Sequence, residues 1–462
     1  MVVLLNLLIK PVWLLIEMEV QNQVGHTDWG LYSGLFSFGF LFIAFSDMGV
    51  SQYITKTLAS DRGLLHSYFP NLLTFKLVIS IFYPFILVGL GWLMGYDTHE
   101  LYFLLLLCLV HAGNQLMAYF RAGFQALQQF TLDGILSVFE RVILMILVGY
   151  LYMTSLNIER FIYIRVLTAL LGSAVFYFLF VWLHGWIKPK MDTKLIRQVL
   201  KLSFPFAMMT ILYSVHDKVD QVMLLRIGGA KENGLYAGAY RWLDAFSMYM
   251  WTVLPIFFAR FAYVIKDFKA QERLLHFGQV IVALPMVFVS VFVFFYGEKL
   301  LFLFGKSSAA EITVMSACLR ALFVAVLFNG IFAIFSTLLT STDHEKFVNR
   351  LAVFSILINV ILNWIFIPAY GAVASAWTTV ASYAFLDIAY VFYIRKYIPV
   401  KIPWIQMGKI ALAGICTAGI FFLFGKTSLE WYWTTLIAGV GLAAFSILSG
   451  LISLKKIKTF TV

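Results

Sequence analysis

Apolar runs of about 20 residues recur along the whole chain, separated by short polar stretches, and this recurrence decides most of what the chain can fold into. Crossing a bilayer takes about 20 mostly apolar residues, because each adds roughly 1.5 Å along a helix and the hydrocarbon core is about 30 Å thick. Fourteen runs qualify: roughly 2–20, 31–53, 70–94, 101–120, 131–153, 160–183, 199–225, 234–258, 277–296, 312–339, 347–367, 371–394, 404–424 and 431–453. The first, seventh and eighth are polar enough for a hydropathy window to miss one. An all-α polytopic membrane protein of about 14 transmembrane helices is the expected fold. Only 12% of the residues are charged and 62% are hydrophobic, whereas water-soluble domains carry about 25% charged residues.

The net charge of +11 raises nucleic acid as a partner, but the placement of the basic residues argues against it. Of the 34 Lys and Arg, twenty fall on one alternate set of loops, six on the other set and eight inside the runs. That bias is the positive-inside signature of a membrane protein and places both termini in the cytoplasm. The longest and most basic inner loops, His184–Lys201 and Arg260–His276, are expected to lie as amphipathic helices on the inner leaflet. Their charge reads equally as orientation signal or as lipid-headgroup recognition. Residues Met1–Val20 show neither a basic n-region nor a small-residue cleavage site, so no cleavable signal is expected. The chain begins almost inside its first apolar run, which leaves room for a start further upstream. Cys108, Cys318 and Cys416 each sit within an apolar run, so neither a disulfide nor a metal site is expected.

An internal repeat refines the architecture. Gly25, Gly30, Leu31, Tyr32 and Gly34 align without a gap to Gly229, Gly234, Leu235, Tyr236 and Gly238. Each copy occupies an outer loop, before spans two and eight. An even number of spans separates them, which makes the repeat parallel, an arrangement found in transporters with the substrate site at the repeat interface. Two pseudo-symmetric six-helix lobes follow, 1–190 and 191–400. Residues 401–462 then supply two additional helices and a basic tail with Lys455, Lys456 and Lys458.

Several chemistries are disfavoured. Gly305-Lys306-Ser307 and Gly425-Lys426-Thr427 imitate a phosphate-binding loop, but Leu300 and Ile420 stand where the motif needs glycine. Any uphill work would therefore draw on an ion gradient or the membrane potential. The eight histidines show no metal-binding spacing, and His111, inside span four, reads better as a packing residue than as a proton relay. No nucleophile–base arrangement can be assembled, so a transporter rather than an enzyme is expected, with no cofactor.

Charges inside the spans mark function, because each costs about 2.5–3.5 kcal/mol to insert. Arg141 lies near the midplane; Arg165, Lys218, Arg241 and Arg320 lie in the outer half. Guanidinium forks suit phosphate oxygens, which they bind in pairs without losing charge. The five cations thus read as the lining of an anion-accepting cavity, with internal ion pairing as the competing reading for each. Asp217, Asp220 and Asp244 are the nearby acids and candidates for coupling to H⁺ or Na⁺. Asp47, Glu140 and Asp387 sit in spans two, five and twelve.

The residues also carry a family resemblance. Asn359, Asn363, Pro368 and Gly371, followed by a small-residue helix, resemble the helix 11–12 signature of polysaccharide flippases. Asp47-Met48-Gly49 is similar to that family's Asp-x-Gly motif in helix two, and Arg121 stands in a stretch resembling the loop after helix four. The Gly-Leu-Tyr segments resemble its Gly-x-Tyr loops. The resemblance covers essentially the whole chain and points to a Wzx-type oligosaccharide flippase, in the superfamily that also holds lipid II flippases and the MATE multidrug exporters. It implies alternating-access translocation of an undecaprenyl-pyrophosphate-linked oligosaccharide across a bacterial inner membrane, for O-antigen- or capsule-type surface polysaccharide. Membrane lipids and polysaccharide polymerase machinery are the implied partners. Two alternatives stay open: an ion-coupled drug antiporter of the MATE kind, and a membrane-bound polysaccharide-modifying enzyme.

Overall fold

The computed structural model describes residues 2–185 and 188–452, apart from the side chains of residues 2–8, Lys10 and Arg62. The basic tail at Lys455, Lys456 and Lys458 lies outside the described residues. Every regular element among the described residues is helical. Besides a 3-10 turn at Arg62–Leu64 and a π-helical turn at Leu224–Gly228, they are in chain order α1 (Val2–Val24), α2 (His26–Leu41), α3 (Ile43–Asp47), α4 (Val50–Ser60), α5 (Leu65–Leu93), α6 (Thr98–Ala126), α7 (Phe130–Thr154), α8 (Ile158–His184), α9 (Thr193–Met223), α10 (Ala230–Tyr263), α11 (Phe268–Leu300), α12 (Ala309–Ser341), α13 (Glu345–Tyr397), α14 (Trp404–Phe424) and α15 (Trp431–Leu448).

Eleven of these helices are long and apolar enough to cross a membrane. Residues Glu345–Tyr397 form two spans rather than one, folded at Gly371, where φ is 53° and ψ is −133°. Adding α1 and the broken run α2–α4 brings the total to fourteen spans, as the apolar runs require. The seventh and eighth runs meet the hydropathy criterion within α9 and α10. The second does not, because turns at Phe42 and at Met48–Gly49 divide it into three short helices.

Among the described residues, the basic inner loops form no separate surface helices. Lys194, Arg197 and Lys201 belong to the first turns of α9, capped by Asp192, and Lys269 and Arg273 to those of α11, capped by Asp267. A side-chain oxygen at each N-cap satisfies the exposed amides there, so each helix carries on through these loop residues.

The chain forms two compact units, Met1–Gly234 and Leu235–Val462. In the first, α6 packs against α5, α8 and α4, and α9 packs against α2 and α4. Its buried aromatic centre includes Phe69 and Phe180, stacked with ring centroids 4.4 Å apart, together with Tyr119, Phe120, Phe124 and Phe176. In the second unit, α12 packs on α11 and α13, and α14 on α11 and α15.

The two copies of the repeat share backbone geometry. Gly25 precedes α2 with φ 90° and ψ 162°, and Gly229 precedes α10 with φ 90° and ψ 168°. Both values suit glycine alone. Gly30 lies against the backbone of Ala230 and Gly234, while Gly234 lies against the backbone of His26. His26 and Ala230 are equivalent repeat positions, so the first-unit residues of the two copies pack reciprocally, glycine to backbone. Asn233 Nδ2 donates to the Gly30 carbonyl at 2.7 Å, and Gln21 Nε2 to the Gly234 carbonyl at 2.7 Å.

Candidate functional site

Helix interruptions at bilayer depth leave backbone groups that must find partners inside the protein. The break in span two is built this way. Met48 and Gly49 both adopt left-handed conformations, φ 50° and 72°. Lys76 of α5 is fully buried; its Nζ donates to the Ser46 carbonyl at 3.1 Å and to Asp47 Oδ1 at 2.7 Å. Ser51 donates to the same Asp47 oxygen at 2.5 Å. From α9, Ser203 Oγ donates to the Met48 carbonyl at 2.8 Å. A side chain on Gly49 would collide with the backbone of Ser203 and Ala207. The Asp-x-Gly motif is therefore a clamped break. Its charge is neutralised by Lys76, which in the sequence is only one of eight basic residues inside the apolar runs.

A belt of charge runs through the first unit. Arg165 of α8 pairs with Glu17 of α1, Nη1 to Oε1 at 3.5 Å, and lies 5.8 Å from the Trp13 ring centroid and 5.2 Å from that of Phe36. Cationic groups over aromatic faces gain attraction from the ring quadrupole. His111 packs beside them, its Nε2 donating to the Phe36 carbonyl at 3.0 Å and its ring 4.3 Å from Phe36, which fits the packing role. On the other side, Arg121 Nε donates to Asp133 Oδ1 at 2.5 Å, and Gln125 donates to Oδ2 at 2.8 Å. Glu140 of α7 lies within electrostatic reach of Arg165, Arg141 and Arg121.

The five candidate cations differ in what holds them. Arg141 is half-buried and makes no ion pair or hydrogen bond among the described residues. Arg165 is held by Glu17. Lys218 lies 3.1 Å from its neighbour Asp217. Arg241 is buried and engaged, with Nη1 making no hydrogen bond among the described residues. Arg320 is exposed and pairs with Glu298 at 3.3 Å. Of the candidate acids, Asp220 is buried, while Asp217 and Asp244 are partly buried; each of the three is engaged. A fourth acid, Asp387 of α13, is 2% exposed, and its Oδ2 has no hydrogen-bond partner among the described residues.

The helix 11–12 signature folds into a zipped hairpin. Asn363 donates to Asn359 Oδ1 at 2.9 Å, and its own Oδ1 accepts from Ser375 at 3.0 Å and from Thr378 at 2.8 Å. Nearer the open end, Ser355 donates to the Ser382 carbonyl at 3.3 Å. Pro368 closes the first arm, and Gly371 supplies the positive φ of the turn. Asn359 and Asn363 are buried and bond within the hairpin; Asn363 links the two spans through Ser375 and Thr378, and Asn359 supports it from the same arm.

Comparison with known proteins agrees with this geometry. A family model described as polysaccharide biosynthesis protein matches residues 1–258, and the MatE model matches residues 205–365. An uncharacterized membrane protein of Methanocaldococcus jannaschii is 23% identical over 391 residues, covering 77% of this chain and 87% of that protein. A probable low-salt glycan biosynthesis flippase of Haloferax volcanii is 26% identical over 120 residues, 26% of this chain and 25% of its own length. Among solved structures, the lipid II flippase MurJ in an inward closed conformation superposes with a TM-score of 0.71 at 16% identity, over 91% of this chain and 96% of that one. An inward-facing MATE-family multidrug transporter superposes with a TM-score of 0.67 at 14% identity, over 83% and 94%. With its model matched over more than half the chain, the protein belongs to the polysaccharide biosynthesis protein family, a multi-pass membrane protein in the fold shared by MATE-like transporters and flippases.

Proposed function

We propose that this protein flips an undecaprenyl-pyrophosphate-linked oligosaccharide from the cytoplasmic to the outer leaflet of a bacterial inner membrane, by alternating access. The observation that carries the reading is the polysaccharide-biosynthesis match over residues 1–258. The half-buried Arg141, with no ion pair or hydrogen bond among the described residues, supports it, because a pyrophosphate entering the membrane needs cationic cover and a guanidinium supplies it. In this reading 1–190 and 191–400 act as two lobes, 401–462 as an added hairpin and tail, and both termini stay cytoplasmic. Surface-polysaccharide polymerases would take the product.

Flipping makes and breaks no covalent bond, so no residue acts as acid, base or nucleophile. The drive comes from the membrane potential, worth about 2.3 kcal/mol per charge per 100 mV, with H⁺ or Na⁺ at Asp217, Asp220 or Asp244 resetting the empty protein. Asp220→Asn is expected to weaken ion dependence more than substrate binding; equal loss of both would remove Asp220 from the coupling role. The MatE match over residues 205–365 favours a second reading, ion-coupled export of an organic cation. Deleting the gene and measuring lipid-linked oligosaccharides by mass spectrometry separates the two. Accumulation in the inner leaflet supports the flippase; unchanged lipid pools with raised drug sensitivity support the exporter.

A further inference from the structure

At one end of the first unit, where α5 begins and α8 ends, a cavity of about 210 Å³ opens between Leu65, Phe69, Pro70 and Phe180 on the apolar side and His66, His184, Lys188 and Lys190 on the polar side. The two halves differ in kind. The apolar side is the edge of the packed core: Phe69 and Phe180, stacked on each other and each 1% exposed, line it with Leu65 and Pro70. His66, Lys188 and Lys190 are exposed around it, and His184 is half-buried with Nε2 3.2 Å from Gln129 Oε1.

The backbone that carries Lys190 is held in place. The Lys190 amide donates to Thr74 Oγ1 at 3.2 Å and the Asp192 amide to Asn71 Oδ1 at 2.7 Å, so their backbone is strapped to α5. Asn71 is fixed in turn by donating to the Ser67 carbonyl at 2.7 Å. The one carboxylate on this strap, Asp192, accepts from the Lys194 and Leu195 amides as the α9 cap, which keeps it occupied away from the lysines.

We infer that this cavity binds the phosphate headgroup of an anionic phospholipid. Two ammonium groups and two imidazoles match a phosphate diester, and basic pockets between spans on the cytoplasmic side take such headgroups. Free inorganic phosphate shares that chemistry but has no use for an apolar wall. A phospholipid does: its glycerol and first methylenes meet the apolar wall that Leu65, Phe69, Pro70 and Phe180 share while the phosphate meets the lysines. The site lies in one unit and stands independently of what the protein transports.

The test is lipid retention by the purified full-length protein in mild detergent, read by native mass spectrometry with phosphatidylglycerol and phosphatidylcholine as probes. Wild type should retain phosphatidylglycerol preferentially. K188Q/K190Q should reduce that preference about tenfold or more, since each lysine near an anionic headgroup contributes a several-fold factor. K194Q/R197Q removes the same charge from α9 outside the cavity and should leave retention within about twofold of wild type. Equal losses in the two variants would reduce the effect to general surface charge and overturn the site. No loss in K188Q/K190Q would overturn it too. Displacement of the lipid by millimolar inorganic phosphate would show a soluble-anion site and overturn the lipid assignment.

Discussion

Lys76 and Asp47 form an ion pair wholly inside the first unit, Nζ to Oδ1 at 2.7 Å, at the point where span two breaks. Removing one partner of a buried pair leaves an uncompensated charge and costs about 3–5 kcal/mol, whereas removing both is often nearly neutral. Lys76→Met and Asp47→Asn should each sharply lower the apparent Tm in detergent, and the K76M/D47N double variant should recover most of the loss. Additive losses in the double variant would show that the two residues act separately.

Gly30 and Gly234 fit because neither carries a Cβ: one would collide with the backbone of Ala230, the other with that of His26. Gly30→Ala and Gly234→Ala should therefore cost a large share of folded, monodisperse protein, measured by fluorescence-detected size exclusion. Gly89 is the control, since a methyl group there would meet nothing within 4 Å, and Gly89→Ala should behave as wild type. Normal yield for G30A would contradict the close approach of Gly30 to Ala230 and Gly234.

Asn363 holds two side chains across the hairpin of α13, Ser375 and Thr378, and donates to Asn359 on its own arm. Interhelical hydrogen bonds inside membranes contribute about 0.6–2 kcal/mol each. Asn363→Leu should lower Tm clearly, while Asn359→Leu, which removes a single acceptor of Asn363, should lower it less. A flipping defect in N363L with unchanged Tm would assign the asparagine a transport role instead of a structural one.

Topology is checked by thiol labelling of single cysteines at exposed positions. Thr27, Lys231 and Ser308 should react with an impermeant reagent from outside, and Asp61, Asp192 and Asp267 should not; all six are exposed in the structure. Reaction of the second set in intact spheroplasts would reverse the orientation.

How much is legible in the sequence follows from what membrane insertion demands. Fourteen spans can be counted because each must be apolar along its length, and the hairpin at Gly371 is visible as two runs with a Pro and Gly between them. The basic loops suggest surface helices because sequence does not show where a span stops. Asp192 and Asp267 instead cap helices that carry on through those loop residues. The clamp on span two is invisible at that level because Lys76 and Asp47 lie 29 residues apart, and no periodicity links a lysine on one helix to a break in another. For the same reason Arg141, Arg165 and Arg320 look alike in the sequence. Glu17 and Glu298 distinguish them, and only the folded chain places those acids beside their arginines.

Flipping by purified protein in proteoliposomes, with an imposed potential and no ATP, tests the proposed function most directly. A lipid-linked oligosaccharide should be translocated by wild type at a rate that rises with the potential. Arg141→Gln should slow it by about tenfold or more and Arg141→Lys should retain part, because the charge survives but the paired donors do not. Arg320→Gln should slow it less than Arg141→Gln, since Arg320 already has a carboxylate partner in Glu298. Translocation that requires added ATP, or that proceeds at full rate in well-folded R141Q, would contradict this mechanism.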